Sequence, residues 1–298
     1  MPTEGELHPA VNSAKKVASQ IERPISGMAP AGEKLGPWSL VVAANDSRVL
    51  KTTLLASPAL DSRCQIIVKE GFRSAGSAYN AGLAEARNEI VVFAHQDIFL
   101  PSEWTADIGR ALSHLAVADP NWGALGLVGV EKVFPGRIAG FCYSTGLQSF
   151  VGKPFCAPIE VSSLDEIVLV LRRSSGLKFD VNLPGFHLFG TDICMEAERR
   201  GMKCYAASAF CIHNTNGIKR LPAAFWRAYL YLRCKWQDRL PIRTCCTTIT
   251  KWGAPAIYQI ARDSSRAFLK LPRVGSRWQN VDNLLRLVEQ ERSKCSWL

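Results

Sequence analysis

Between residues 38 and 218 short apolar runs alternate with mixed segments, and each run stops at polar residues. Ser39–Asn45, Cys64–Lys69 and Glu89–Ala94 have the length and β-branched content of buried strands. The first ends at Asn45-Asp46-Ser47, the second at Glu70-Gly71 and the third at His95-Gln96-Asp97. Ser77–Arg87 reads as a helix with small apolar faces from Ala78, Ala81, Leu83 and Ala84. A second helix runs from Pro101, in a favoured early position, to about Val117. Gly123–Val130 reads as a glycine-spaced buried strand, Ile167–Leu171 as another, and Ala209–His213 as a strand ending in histidine. Between the last two, Thr191 or Asp192 caps a helix that Gly201 ends. Apolar strands alternating with helices predict an α/β fold with a mostly parallel central sheet and helices on both faces. Ligands bind such sheets outside the carboxyl ends of the strands. Asn45, Glu70 and His95-Gln96-Asp97 are therefore expected on one rim.

Charge divides the chain differently. Residues 1–37 hold four basic and four acidic side chains, and residues 38–218 hold 16 and 17. Residues 219–298 hold 16 basic and five acidic, so they carry the whole excess behind the net charge of +10. Five of the eight tryptophans lie there too: Trp226, Trp236, Trp252, Trp278 and Trp297. The expected organisation is a flexible segment over 1–37, an α/β domain over 38–218, read below as catalytic from its resemblance to a known family, and a mainly helical, basic extension over 219–298. Such an extension fits either a helical cap or a layer contacting an anionic surface. In Leu221–Trp236, aromatic residues interleaved with Arg227, Arg233 and Lys235 fit a helix lying on an anionic membrane or packing on the catalytic domain. No nucleic-acid module accompanies it, which disfavours a nucleic-acid partner.

Composition narrows the class. With 47% hydrophobic and 21% charged residues in 298, the chain reads as a globular protein with a sizeable core. No run of about 18 apolar residues suggests a membrane span. Residues 1–37 have no apolar stretch of signal-peptide type, and ten cysteines then read as free thiols in a reducing compartment. The expected location is the cytoplasm, in peripheral contact with the membrane's cytoplasmic face. No paired Cys-X-X-Cys knuckle supports zinc at Cys194, Cys204 and Cys211, and no glycine-rich phosphate-loop signature is present.

Three stretches carry candidate chemistry. The strand ending in Asp97 presents a carboxylate where it can hold a divalent cation, or cap a loop. Asp192 sits at a helix start, where it can cap or take a proton from an acceptor hydroxyl. His213 ends a strand and reaches the same rim, either as a structural residue or to complete a metal or phosphate site.

Their order resembles the nucleotide-sugar-dependent glycosyltransferases of the GT-A fold, in their family-2-like bacterial branch. The resemblance rests on Asn45, Tyr79-Asn80-Ala81-Gly82, His95-Gln96-Asp97, Gly190-Thr191-Asp192 with Gly201, and His213. It implies a Rossmann-like catalytic domain that moves a sugar from a nucleotide-diphosphate sugar to an acceptor hydroxyl. Inversion and a divalent ion, Mn²⁺ or Mg²⁺, are implied with it. His95-Gln96-Asp97 matches the family's Asp-X-Asp motif, with Asp97 and His213 as metal ligands. Asn45, Glu70 and Asn80 fall on the donor side, and Asp192 matches the catalytic base. Asp165, Glu166 and His187 fall on the side of a glycan, protein or lipid-linked acceptor. The sequence departs from the pattern where His95 replaces the first Asp, Thr191 the first acidic residue of the base motif, and Tyr79 an arginine. A protein that binds a nucleotide or nucleotide-sugar without transferring it, with the basic extension as its interaction module, is the alternative.

Overall fold

The computed structural model describes residues 35–216, 221–268, 275–277, 283, 285 and 286. The expected flexible segment over 1–37 lies almost wholly outside them, as do Trp278 and Trp297.

The strands are β1 (Trp38–Ala44), β2 (Cys64–Glu70), β3 (Ile90–His95), β4 (Ile98–Phe99), β5 (Ala124–Gly126), β6 (Val128–Glu131) and β7 (Ile138–Ser144). They continue as β8 (Ser149–Lys153), β9 (Ile159–Leu164), β10 (Val168–Arg172), β11 (Cys204–Ala206), β12 (Cys211–His213), β13 (Ile242–Arg243) and β14 (Thr248–Ile249). The helices are α1 (Ser47–Thr52), α2 (Ala75–Glu85), α3 (Trp104–Ala118), α4 (Phe189–Arg199), α5 (Ala223–Lys235) and α6 (Ala254–Phe268).

Twelve strands form one curled sheet in the order β2-β1-β3-β10-β5-β11-β9-β6-β7-β12-β4, with β8 beside β7. The expected mostly parallel sheet is corrected. Only β1/β2, β1/β3, β5/β11 and β7/β12 run parallel, and the other seven pairings are antiparallel. An apolar run reports burial on both faces, which a strand in this sheet has in either direction. The hairpins β6–β7 and β7–β8 supply much of the difference, from a stretch whose glycines and prolines read only as loops. The run from Gly123 also breaks in two, because β5 leaves toward β11 and β10 while β6 joins β7 and β9.

Period-two alternation sorts the strand residues into two apolar layers. Leu40, Val42, Val92, Ala94, Val168 and Val170 face one layer with Trp104, Ile108 and Leu115 of α3. Val41, Val91, Phe93, Leu169 and Leu171 face the other, with residues of α2, α4 and α5. Gly82 lets α2 lie directly on β1, since a Cβ there would fall 2.2 Å from Val41 Cγ1. Helices on both faces are therefore observed.

The aromatic face of α5 packs inward. Phe225, Tyr229, Leu232 and Trp236 are buried in the same layer as Tyr79 and Phe189. Of the two readings of that helix, packing on the domain formed by residues before it is the one observed. Among the described residues no helix is long and apolar enough to cross a membrane.

Candidate functional site

β3 runs parallel to β1, so Ala43 lies opposite His95 and the two strand ends share a rim. Gln96 ties them together. Its Oε1 accepts from the backbone N–H of Asn45 and of Asp46, each at 3.0 Å, and its Nε2 donates to Asn45 Oδ1 at 2.6 Å. Asp46 then caps α1 by accepting from the N–H of Arg48 and of Val49. Glu70 ends β2 next door, opposite Ala44, and is exposed.

The chain turns after His95 and returns as β4, which pairs with β12 at the other end of the strand order. That pairing sets His213 opposite Ile98, and the N–H of Asn214 donates to the Asp97 carbonyl at 2.8 Å. The curl thus brings the two ends of the sheet to one place. His95, Asp97 and His213 each offer a ligand atom, and these atoms all lie within 4.8 Å of one another. His213 Nε2 is 3.6 Å from Asp97 Oδ1, and the two imidazole rings meet edge-on at 5.9 Å.

The Asp97 carboxylate suits a cation, while His213 must give up a proton before it can ligate one. Burial alone would raise the Asp97 carboxyl, but His213, His95 and Arg277 outweigh it and hold it well below the usual range. His95 is pushed down, chiefly by burial. Burial would also lower His213, but Asp97 more than reverses that and leaves it above the ordinary value. Two imidazoles and one carboxylate with open positions suit a first-row ion such as Mn²⁺ better than Mg²⁺, which prefers oxygen ligands.

β10 runs antiparallel to β3, with Val168 opposite Ala94, and the N–H of His95 donates to Ile167 O at 3.1 Å. This direction puts the start of β10, hence Asp165 and Glu166, on the rim beside the histidines. Asp165 Oδ1 accepts from the N–H of Ile167. Burial, then the neighbouring Asp165 charge, pushes the Glu166 carboxyl up to about 8, although the N–H groups of Glu166 itself and Leu188 hold it back. Leu188 has φ 62°, a left-handed conformation rare for leucine, immediately before α4. Its carbonyl accepts from the N–H of Asp192 at 2.9 Å.

Asp192 lies inside the first turn of α4, and neither it nor Thr191 caps that helix as the sequence suggested. Gly201, with φ 73°, does follow its end. The Asp192 carboxylate is buried against the extension. Oδ1 accepts from Trp236 Nε1 at 2.7 Å, and Lys235 Nζ lies 2.9 Å from Oδ2. Lys235 also donates to Asp180 Oδ2 at 2.7 Å, which Tyr231 Oη reaches at 2.9 Å. Burial raises the Asp192 carboxyl, and Lys235 and Trp236 only partly offset that. Asn80 turns its amide to one backbone unit, donating to Phe179 O at 2.8 Å and accepting from its N–H at 3.0 Å. His187 is half-buried, its ring 5.8 Å from that of Phe225.

Lys235, Trp236 and Arg277 touch these carboxylates and Asp180 shares Lys235 with Asp192, and the sequence pattern flagged none of the four as site residues. Only the cluster of basic and aromatic residues after 219 pointed toward three of them; Asp180 left no signal.

Residues 39–223 match the profile described as "Glycosyltransferase like family". The chain belongs to that family. A curated relative, "ATP synthase subunits region ORF 6" of Fuscovulum blasticum, is 29% identical over 135 residues. That match covers 44% of this chain and 53% of the relative, so the chain spans about half the relative's length. Among solved structures, the mannosyltransferase PcManGT from Pyrobaculum calidifontis, in complex with GDP-Man and Mn²⁺, aligns at TM-score 0.45 and 13% identity. The alignment covers 97% of this chain and 83% of that one. S. aureus TarS aligns at TM-score 0.41 and 13% identity, over 66% of this chain and 39% of its own. Within the matched family region lie β1 to β12 and every residue of the rim except Arg277.

Proposed function

We propose that this glycosyltransferase-family protein moves a sugar from a nucleoside-diphosphate sugar to an acceptor hydroxyl, with inversion, on a GT-A architecture. The observation that carries the reading is the trio His95, Asp97 and His213, gathered from three strand ends onto the rim where such sheets bind ligands. These three side chains would hold Mn²⁺ or Mg²⁺, which when bound supplies Lewis-acid charge for the departing diphosphate. Asn45, Gln96 and Glu70 line the neighbouring strand ends on the nucleoside side. Asp165, Glu166 and His187 face the sugar or a glycan, protein or lipid-linked acceptor. The test is a thermal-shift and calorimetric screen of UDP-, GDP-, dTDP- and CMP-sugars with and without Mn²⁺. One nucleotide class is expected to stabilise the protein in a Mn²⁺-dependent way, and Asp97→Ala is expected to abolish that dependence. Stabilisation by no nucleotide would sink the reading.

Asp192 is our candidate for the base that takes the acceptor's proton. Its raised carboxyl and position at a helix start favour it, provided Lys235 yields when the acceptor arrives. A positioned base is worth about 10²–10⁴-fold in rate. Asp192→Asn should therefore lower turnover by that factor and leave the donor's Kd unchanged. One observation favours Glu166 instead: it lies half-buried on the rim itself, with a carboxyl near 8. If Asp192→Asn lowers the melting temperature but keeps turnover, while Glu166→Gln loses it, Glu166 is the base.

A further inference from the structure

One contact on the rim comes from outside the region that matches the family. Arg277, on the far side of the extension, reaches Asp97 across 180 positions of sequence. Its Nη2 lies 3.3 Å from Asp97 Oδ2, its Nε donates to Asn214 O at 2.9 Å, and its backbone N–H donates to Asn216 Oδ1 at 3.0 Å. The backbone before it lies flat on the turn after β7, since a Cβ on Gly275 would fall 1.9 Å from Thr145 O. Farther on, Leu285 packs on the aromatic cluster of Phe99, Phe141, Tyr143, Phe210 and Ile212. The guanidinium is thus held from both chain directions, and its side chain keeps 29% of its surface exposed.

Asp97 is divided between two kinds of cation holder. Oδ1 faces His213 and Oδ2 faces Arg277. A metal taking Oδ1 and the imidazoles would sit beside a permanent positive charge. A guanidinium has five N–H donors, and only Nε and Nη2 are used among the described residues. Its planar edge matches phosphate oxygens in geometry and charge.

We propose that Arg277 is a resident cation of the donor site: it braces Asp97 and gives its remaining N–H groups to the diphosphate of the nucleotide. This rests on the reading of the rim as a nucleoside-diphosphate-sugar site and adds a binding residue that the family region lacks. Two consequences follow. Nucleoside diphosphate binding has a part that survives removal of divalent ions, and the Arg277 charge weakens metal binding at Asp97.

The experiment is calorimetric titration of the full chain with UDP, GDP and dTDP, in EDTA and in Mn²⁺, and with Mn²⁺ alone. Wild type should bind one of these nucleotides in EDTA. Arg277→Gln should weaken that binding about tenfold or more, the scale of a lost charge-assisted hydrogen bond to phosphate. It should also tighten Mn²⁺ binding measured without nucleotide. Arg277→Lys should restore part of the EDTA-resistant binding, and serves if the glutamine variant unfolds. Wild-type binding that needs Mn²⁺ absolutely, or EDTA-resistant binding that Arg277→Gln and Arg277→Lys leave intact, would overturn the inference and leave the site reading standing. If wild type binds none of the nucleotides under either condition, the site reading itself falls and takes the inference with it.

Discussion

Glu166 shows how one half-buried side chain can set the pH response of a site. Its folded pKa of about 8 stands above the ordinary 4.5, so between those values the folded state holds a proton that the unfolded state gives up. Stability contributed by this group is therefore present at low pH and lost as pH rises through that window. Glu166→Gln keeps the shape and removes the titration. The variant is expected to melt at least about 3 °C higher than wild type at pH 8, equivalent to ~1 kcal/mol, with little difference at pH 5. Melting curves at the two pH values check this, and an equal shift at both would refute the assignment. At this scale the sequence displayed some things and hid others. Asp97 and His213 were legible because one lies just past a strand end and the other at one, and a strand end is a place in space. Asp165 and Glu166 could be placed only loosely, because their position on the rim depends on the direction of β10. Lys235, Trp236 and Arg277 had no local pattern to betray them, since their meaning comes from partners 43, 44 and 180 positions away.

Among the elements, β1, β2, β3 and α2 form where apolar runs and small-residue faces say they should, because each run is a single pass through the sheet. The hairpins between residues 138 and 164 escaped detection: their burial is mixed, with β8 wholly half-buried or exposed, so no clean alternation marks them. Two described helices of the extension, α5 and α6, divide their work. α5 turns its aromatic face into the core. The segment opening α6 instead exposes Trp252, Ile257 and Tyr258, at 81%, 65% and 70%, with Lys251 beside them. If the basic extension contacts an anionic membrane, this is the part equipped to do so. Wild type is expected to co-sediment with phosphatidylserine vesicles at low salt, and Trp252→Ala with Tyr258→Ala to cut the bound fraction severalfold. Equal recovery of both proteins in the supernatant would remove the membrane from the picture.

For the whole molecule, the break in composition near residue 219 does not coincide with a break in packing. Phe225, Ala228, Tyr229, Leu232 and Trp236 share an apolar layer with Tyr79, Phe93 and Phe189, and Lys235 bridges the buried Asp192 to Asp180. A chain ending at residue 218 would uncover that layer and strand a buried carboxylate. It should be recovered aggregated, or lose its cooperative melting transition, whereas cleavage of residues 1–34 should leave the transition in place. A well-behaved, cooperatively melting 35–218 fragment would show the extension to be dispensable. The break in charge is thus laid over a core that extends beyond the family region.

The distance along the chain between Asp97 and Arg277 also fixes an order of events during synthesis. The strands that gather His95, Asp97 and His213 have all been made when residue 213 is added, and Arg277 follows roughly 3–13 s later at about 5–20 residues per second. For the first part of that interval the polypeptide still lacks Phe225, Tyr229, Leu232 and Trp236, so the layer beneath the cleft is incomplete until the extension is made. Arg277 is thus the last of these groups to be made, and it joins a cleft that the extension itself has helped to build.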